Sequence, residues 1–401
     1  MSSGAGIWFR FVVLVSGVVL LSLLSVSLWQ EKPEKPGEAA PPVIHEGMTI
    51  GDFGRENRLP DEVLGKAFNL QTKDDLKKKL ESLNLSREEL SARAVKAQAL
   101  AAEYKSKNWL KIPIKFVLWI LFLSGIFVLM RRKKITPGLR RWLYLAALGL
   151  FGVVFGADPG PMGTIKDALV LYGEKRLVFP PRMIALTVFL LMTVLANKFI
   201  CSWGCQVGTL QDLIFRLNRN GQDTKGILRQ YRLPFAWTNG FRIAFFAVFT
   251  VAALAWATDL INAIDPFKIY KPAAIGIGGG AFIGLLLGAS LFLYRPWCHL
   301  FCPFGLVGWL AEKISVFKIQ VNYDTCISCR TCEKACPSTV MGAILLRDRI
   351  LPDCFACGNC INVCPTNSIR LAAGKRHRPP AGKFTPQGNP VPGTAPPSDV
   401  V

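Results

Sequence analysis

Two stretches near the C-terminus decide the fold of that region: CISCRTCEKACP at residues 326–337 and CFACGNCINVCP at residues 354–365. Each follows the spacing C-x2-C-x2-C-x3-C-P. Each uses four of the twelve cysteines in the chain, so most of the cysteine content serves one repeated purpose. The repeat predicts a small α+β domain over residues 311–371, with two equivalent halves.

The spacing points to iron–sulfur chemistry. In bacterial two-cluster ferredoxins, three closely spaced thiolates bind one cubane and the fourth cysteine of the run ligates the other. The predicted ligands are Cys326, Cys329, Cys332 and Cys364 for one [4Fe–4S] cluster, and Cys354, Cys357, Cys360 and Cys336 for the other. The alternatives are a zinc site or a disulfide framework. Zinc needs only four ligands, and no two-site arrangement requires this order of spacings twice.

The rest of the chain is too apolar for a soluble domain. Hydrophobic residues make up 51% of the sequence and the mean hydropathy is +0.32. Several apolar runs approach the roughly 20 residues that span a bilayer. We predict a mainly α, polytopic membrane protein with about six spans, at Ile7–Trp29, Ile112–Met130, Trp142–Ala157, Met183–Ile200, Phe241–Thr258 and Ala274–Tyr294.

Charges beside the spans predict the orientation. The segments 131–141 and 216–232 are rich in Lys and Arg, whereas 158–181 and 259–273 are balanced. Basic loops favour the cytoplasmic side. We therefore expect a protein of the bacterial inner membrane, with both termini on the cytoplasmic side and residues 30–111 on the exported side. The net charge of +21 is then explained by lipid contact. No nucleic-acid motif accompanies it, and no nucleic-acid partner is expected.

The chain divides into five predicted parts. Residues 1–29 form a membrane anchor, whose long apolar run favours an uncleaved helix over a signal peptide ending at Ser25-Val26-Ser27. Residues 30–111 are a linker and a small helical module, either a docking surface or a spacer. Residues 112–310 form the helical bundle, residues 311–371 the ferredoxin domain, and residues 372–401 a disordered tail.

The four remaining cysteines form two matched pairs. Each pair has C-x3-C spacing and follows a predicted span: Cys201 with Cys205, and Cys298 with Cys302. On continuous helices this spacing points both thiols to one side, so two neighbouring pairs could offer four soft ligands to one point. A third cluster, a bound metal, a redox dithiol and buried free cysteines all remain open. His299, inside the second pair, is a candidate ligand or proton relay.

The order of these motifs resembles the NapH/NosR-type membrane-bound polyferredoxins, over about residues 183–370. The segment Arg295–Gly305 is similar to the second membrane-proximal motif of that family. The resemblance implies anchoring at the cytoplasmic membrane, electron transfer linked to the quinol pool, a redox partner subunit, and the eight ferredoxin ligands named above. The NapH type is nearest, since residues 30–111 are too short for the exported flavin domain of NosR. Gln206 replaces the proline usual after the first pair, which leaves the shape of that turn open.

Two functions are compatible with these features. The first is an electron-transfer subunit that relays electrons between quinol or a partner and a redox enzyme system; Asn197 and Lys198 are candidate quinone contacts or interfacial anchors. The second is a maturation factor that reduces a metal or thiol for another metalloenzyme, because thiolates suit Cu(I). The sequence contains no nucleophile–base constellation, phosphate loop or haem motif, so we expect substrate chemistry to occur elsewhere.

Overall fold

The computed structural model describes residues 4–29, 43–45, 47–57, 59–68, 70, 72–83, 86–346, 348 and 350–384. The predicted mainly helical architecture is confirmed, with a ferredoxin segment at its C-terminal end. The α-helices of the N-terminal half are α1 (Gly4–Trp29), α2 (Ile50–Glu56), α3 (Asp61–Phe68), α4 (Arg87–Ser106), α5 (Lys111–Arg131), α6 (Pro137–Ala147), α7 (Pro161–Lys175) and α8 (Pro180–Ala196).

The second half contains shorter helices and one sheet. They are α9 (Phe199–Trp203), α10 (Gln206–Leu217), α11 (Phe235–Trp256), α12 (Ile277–Ala289), α13 (Pro296–Leu300), α14 (Pro303–Ala311), β1 (Phe317–Val321), α15 (Thr331–Ala335), α16 (Val340–Leu346), α17 (Asn359–Asn362) and β2 (Ile369–Ala373). Strands β1 and β2 pair antiparallel, with Ile319 opposite Leu371. This two-stranded sheet closes the ferredoxin segment by joining its ends.

Three of the described helices are long and apolar enough to cross a membrane: residues Gly4–Ser27 of α1, and helices α5 and α11. Helices α8 and α12 are apolar but have 17 and 13 residues, which is shorter than a bilayer normally requires. The count of six spans therefore stays a prediction. The predicted third span begins earlier than expected, at Pro137, and continues after α6 as a π-helix over Leu148–Val154.

The segment predicted as a balanced exported loop, 158–181, is instead largely helix α7. This helix packs against α8, α11 and α14 within the bundle. Its far end meets the N-terminal module, where Leu171, Leu177 and Phe179 join a separate apolar cluster with residues of α2, α3 and α4. A capping box at Ser86 starts α4, since the Ser86 hydroxyl accepts from the Glu89 N–H at 3.2 Å. The module is thus a small core of its own, seated on the bundle.

The predicted boundary at residue 371 is too early. Strand β2 runs to Ala373, and the chain continues against the sheet to residue 384. Arg376 donates to the Ile319 carbonyl at 3.1 Å, and the buried Phe384 ring packs against Tyr323. Apolar burial therefore holds the first part of the predicted tail, while 385–401 lies outside the described residues.

The bundle and the ferredoxin segment share one continuous core. The basic loop after α5 lies against the ferredoxin segment, because Lys133 Nζ donates to the Asn367 carbonyl at 2.7 Å. The second basic loop does the same through Arg232, which donates to the Lys334 carbonyl. The two basic loops and the ferredoxin segment accordingly lie on the same side of the bundle.

Candidate iron–sulfur sites

The eight cysteines of the repeat line two cavities. One is lined by Cys326, Cys329, Cys332 and Cys364, and the other by Cys336, Cys354, Cys357 and Cys360. The two cavities are of equal size, about 350 Å³ of empty space each when their mouths are included. Each takes three cysteines from one run and one from the other run, which is the reciprocal arrangement of a two-cluster ferredoxin.

The donor set fits thiolate-bound iron. Burial raises the pKa of Cys332 to about 12 and that of Cys354 to about 12, so these thiols are protonated at neutral pH when no metal is bound. A coordinated metal deprotonates such thiols outright. Within the described part of the chain, no three His, Cys, Asp or Glu side chains come close enough to hold a single metal ion. A cubane differs because it keeps its four thiolates apart at separate corners.

The two cavities differ in exposure. Cys336, Cys354 and Cys360 are buried, whereas Cys329 is exposed and Cys326 is partly exposed. We call the first cavity, with Cys329, the outer site and the second, with Cys354, the inner site. The inner site faces the bundle, since its lining includes Tyr294 from the membrane part of the chain.

The structure also brings the C-x3-C pairs together. Cys201, Cys205, Cys298 and Cys302 are each less than a tenth exposed, and burial together with the neighbouring Cys298, Cys205 and Cys201 raises the pKa of the Cys302 thiol well above its usual value. The pairs are not on continuous helices. In each, the first cysteine lies in a five-residue helix, α9 or α13, and the second precedes the next helix, α10 or α14. We call these four cysteines the membrane-edge site.

The two halves of the membrane-edge site have nearly the same backbone. Cys205 has φ −75° and ψ 124°, and Cys302 has φ −71° and ψ 118°. Gln206 therefore occupies the first helical position that Pro303 occupies in the second half, and the missing proline leaves the turn unchanged. Proline suits this position because the first N–H of a helix needs no partner within it. Glutamine adds a side-chain amide there.

A glycine follows each pair at the same distance, and sequence reasoning missed it. A Cβ on Gly208 would lie 2.4 Å from the Cys201 carbonyl oxygen, and one on Gly305 would lie 2.4 Å from the Cys298 carbonyl oxygen. Only a residue without a Cβ fits such an approach. The extended pattern C-x3-C-x2-G, present twice, is the signal that would have identified both positions.

Each half is braced by a cation from the other half, three residues before the first cysteine. Arg295 Nη1 donates to the Cys201 carbonyl at 2.7 Å, and Lys198 Nζ donates to the Gly305 carbonyl at 2.5 Å. Both side chains are fully buried. Lys198 is therefore neither an interfacial anchor nor open to a quinone, which corrects that expectation. Asn197 is also buried, and its amide oxygen accepts from Ser315.

The same cations connect the membrane-edge site to the inner site. Lys198 forms a buried ion pair with Asp353, the residue before Cys354. Arg242 Nη1, near the start of α11, lies 3.2 Å from Asp353 Oδ2. His299 Nδ1 lies 3.6 Å from the same oxygen, so His299 contacts a carboxylate and its role as a ligand or relay stays a prediction.

A second buried network reaches the inner site through three arginines, of which Arg140 and Arg216 lie in the segments predicted as basic loops and Arg295 lies in the second cysteine motif. Asp212 accepts from Arg295 at 2.5 Å and from Arg216 at 2.7 Å. Arg140 donates to Asp223 at 2.7 Å and to Asn359, between two inner-site cysteines, at 2.8 Å. These arginines are buried beside the sites instead of facing lipid head groups.

The comparisons with known proteins match these two regions. A family described as a 4Fe–4S dicluster domain matches residues 318–365, and one described as a 4Fe–4S binding domain matches residues 178–222 and 275–322. The first match contains the eight cysteines of the repeat. The second contains all four membrane-edge cysteines. No solved structure matches the chain.

Curated relatives agree with the family matches. The putative electron transport protein YccM of Escherichia coli is 27% identical over 58% of this chain and 62% of its own length. The ferredoxin-type protein NapH of Haemophilus influenzae is 25% identical over 53% of this chain and 71% of its own length. An uncharacterised protein of Methanocaldococcus jannaschii is 22% identical over 50% of this chain and 76% of its own length.

The chain thus covers about three fifths of the length of the first relative. Iron–sulfur domains, the names of the relatives and the apolar helices agree with the expected family. This chain therefore matches two 4Fe–4S domain families and is similar to ferredoxin-type and electron transport proteins.

Proposed function

We propose that the chain is a membrane-anchored relay that moves electrons between the quinol pool and a redox partner through three [4Fe–4S] clusters. The observation that supports the proposal most directly is the spatial order of the three cysteine sites. The membrane-edge site, the inner site and the outer site follow one another from the bundle to the exposed surface. Cubane clusters supply one-electron transfer at potentials that the surrounding protein sets.

Residues between the sites support this order. The Arg295 guanidinium donates to the Cys201 carbonyl and also lies 4.7 Å from the centre of the Phe355 ring, next to Cys354. One side chain therefore touches both the membrane-edge and the inner sites. Reciprocal ligation through Cys336 and Cys364 would hold the inner and outer clusters close together.

The third cluster is supported by the four buried thiols and by the 4Fe–4S family match over both pairs. The partition of the eight other ligands is supported by the two cavities. Maturation of another enzyme has less support, because thiols less than a tenth exposed are poorly placed to pass a metal to a client protein.

The orientation is supported by contacts of the basic loops. Lys133 touches the ferredoxin segment, and Gly4, at the start of α1, lies beside Leu228 of the second basic loop. By the positive-inside rule, the ferredoxin segment and the start of α1 lie on the cytoplasmic side of the inner membrane. The module after α1 then lies on the exported side. The exposed Cys329 edge of the outer site then faces a cytoplasmic partner subunit.

The test is anaerobic reduction of the full chain in proteoliposomes, followed by electron paramagnetic resonance. Duroquinol should produce the signal of reduced [4Fe–4S] clusters, in an amount that rises with its concentration, and dithionite should set the maximum. Clusters that dithionite reduces and duroquinol never reduces would remove quinol from the proposal. A reporter fused after residue 373 that is active only outside the cell would overturn the orientation.

A further inference from the structure

The mouth of the outer site brings apolar surface next to a ligand cysteine. Of the twelve cysteines, all of which the structure describes, only Cys329 is exposed. Ile327, two residues before it, is 63% exposed, and both residues line the outer-site cavity. Pro365 is also exposed and lines the same cavity. We call Ile327, Cys329 and Pro365 the outer mouth, and an exposed apolar patch of this kind is typical of the centre of a protein interface.

Two exposed cations lie near Cys329. Hydrogen bonds with Thr331 and the positive charge of Lys334 lower the pKa of the Cys329 thiol, so Lys334 lies close to this cysteine. Arg232 of the second basic loop donates to the Lys334 carbonyl. A cation of the ferredoxin segment and a cation of the bundle therefore meet beside the outer mouth.

Two more cations lie next to the other ends of the cysteine runs. The exposed Lys133 has its Nζ 2.7 Å from the Asn367 carbonyl oxygen, shortly after the second run. Lys383 donates to the Tyr323 carbonyl, shortly before the first run. The residue after it, Phe384, lines the outer-site cavity. We call these four side chains the rim cations: Lys133, Arg232, Lys334 and Lys383.

Carboxylates of the described residues do not neutralise the rim cations. No ion pair joins any of the four to an Asp or Glu that the structure describes. Glu333, next in the chain to one of them, pairs with Arg330 at 2.6 Å. The exposed acids described in the ferredoxin segment are Asp324 and Asp348. Two of the rim cations belong to the ferredoxin segment itself, so the positive-inside rule for loops beside the spans does not account for them.

We propose that the outer mouth and the rim cations form the docking surface for an acidic redox protein. The inference rests on the proposed function and names the chemistry of its partner. Carboxylates of the partner meet the rim cations, which speeds encounter and fixes its orientation, and its cofactor then faces Cys329. The iron–sulfur group that the outer cysteines would hold gives up one electron and the partner's cofactor accepts it, with no bond made or broken. Anionic lipid also attracts cations, but it accepts no electron and would cover the one exposed cysteine.

The experiment uses the full chain in nanodiscs of phosphatidylcholine and two forms of one probe. Native cytochrome c is cationic, and cytochrome c with succinylated lysines is anionic and keeps the same haem. A carbodiimide links carboxylates of the probe to lysines that touch them, and mass spectrometry locates the links. Stopped-flow absorbance then measures reduction of the haem by chain that dithionite has reduced. The rim variant is Lys133→Glu with Lys334→Glu, and the matched control is Lys79→Glu with Lys96→Glu, the same charge change on exposed side chains of the N-terminal module.

We expect the succinylated form to be linked at the rim lysines and to be reduced about tenfold faster than the native form at low salt, an advantage that added salt removes. The rim variant should lose about tenfold of this rate, and the control should keep it. Iron content shows whether each variant is folded. Links confined to the N-terminal module, equal rates for the two forms, or equal rates for the two variants would overturn the docking surface and leave the rim cations to anionic lipid. If clusters that dithionite has reduced pass electrons to neither form, the relay itself fails.

Discussion

Replacing Gly208 or Gly305 by alanine tests the geometry of the membrane-edge site directly. The new Cβ would lie 2.4 Å from the backbone carbonyl of the first cysteine in the same pair, where ordinary contact begins at 3.4 Å. The two backbone segments must therefore separate by about 1 Å, the difference between these two distances. Overpacking of this kind costs about 1–3 kcal/mol.

The carbonyl cannot simply turn away, because charged donors hold it. Arg295 Nη1 lies 2.7 Å from the Cys201 carbonyl oxygen, and Arg242 Nη1 lies 3.4 Å from that of Cys298. The displacement is then transmitted to the ligand cysteine itself. We expect each variant to lose the membrane-edge cluster and keep the other two, so that iron falls by about four atoms per chain.

The assay is iron and acid-labile sulfide per chain in anaerobically purified protein, with thermal unfolding measured beside it. Gly284→Ala in α12 is the control, since its Cβ would meet nothing within 4 Å, and it should keep all its iron. Full iron content and unchanged unfolding in Gly208→Ala would refute the close approach. Loss of all iron would instead mean that the three sites do not assemble separately.

Three further changes probe the neighbouring contacts. Lys198→Met should lower the free energy of unfolding by about 3–5 kcal/mol, because it leaves Asp353 with one buried partner fewer. The control is the exposed Lys134→Met, and a fall in unfolding temperature no larger than in this control would contradict the prediction. Arg140→Gln should lower the reduction potential of the inner cluster, since it removes a buried positive charge that interacts with Cys357. Electron paramagnetic resonance at controlled potentials measures this change. An unchanged or higher potential would contradict the position of Arg140 beside the inner site. Cys364→Ser should alter only the outer-cluster signal, and a change in the inner-cluster signal alone would reverse the partition.

The ferredoxin repeat was predictable because its chemistry is local. Ligands at fixed spacing within twelve residues determine which thiols can bind one cluster, so Cys326 and Cys354 could be assigned without a fold. The matched spacing and depth of Cys201 and Cys298 likewise predicted that the two pairs meet.

Other features depend on tertiary contacts and were not predictable. Arg140 and Lys198 look like lipid-facing cations in the sequence, because Asp223 and Asp353, which pair with them, are distant in the chain. The segment around α7 has balanced charges typical of a loop, yet Lys166 is neutralised by aspartates of the segment 257–271 and the helix is buried. Local charge balance does not reveal such pairing.

The central claim is a line of three iron–sulfur sites from the membrane edge to the exposed surface. Iron and sulfide analysis of the full chain, purified without oxygen and examined by electron paramagnetic resonance, tests it most directly. We expect about twelve iron atoms and as many sulfides per chain, with interacting signals on reduction. About eight iron atoms would remove the membrane-edge cluster, and colourless, iron-free protein would contradict the whole account.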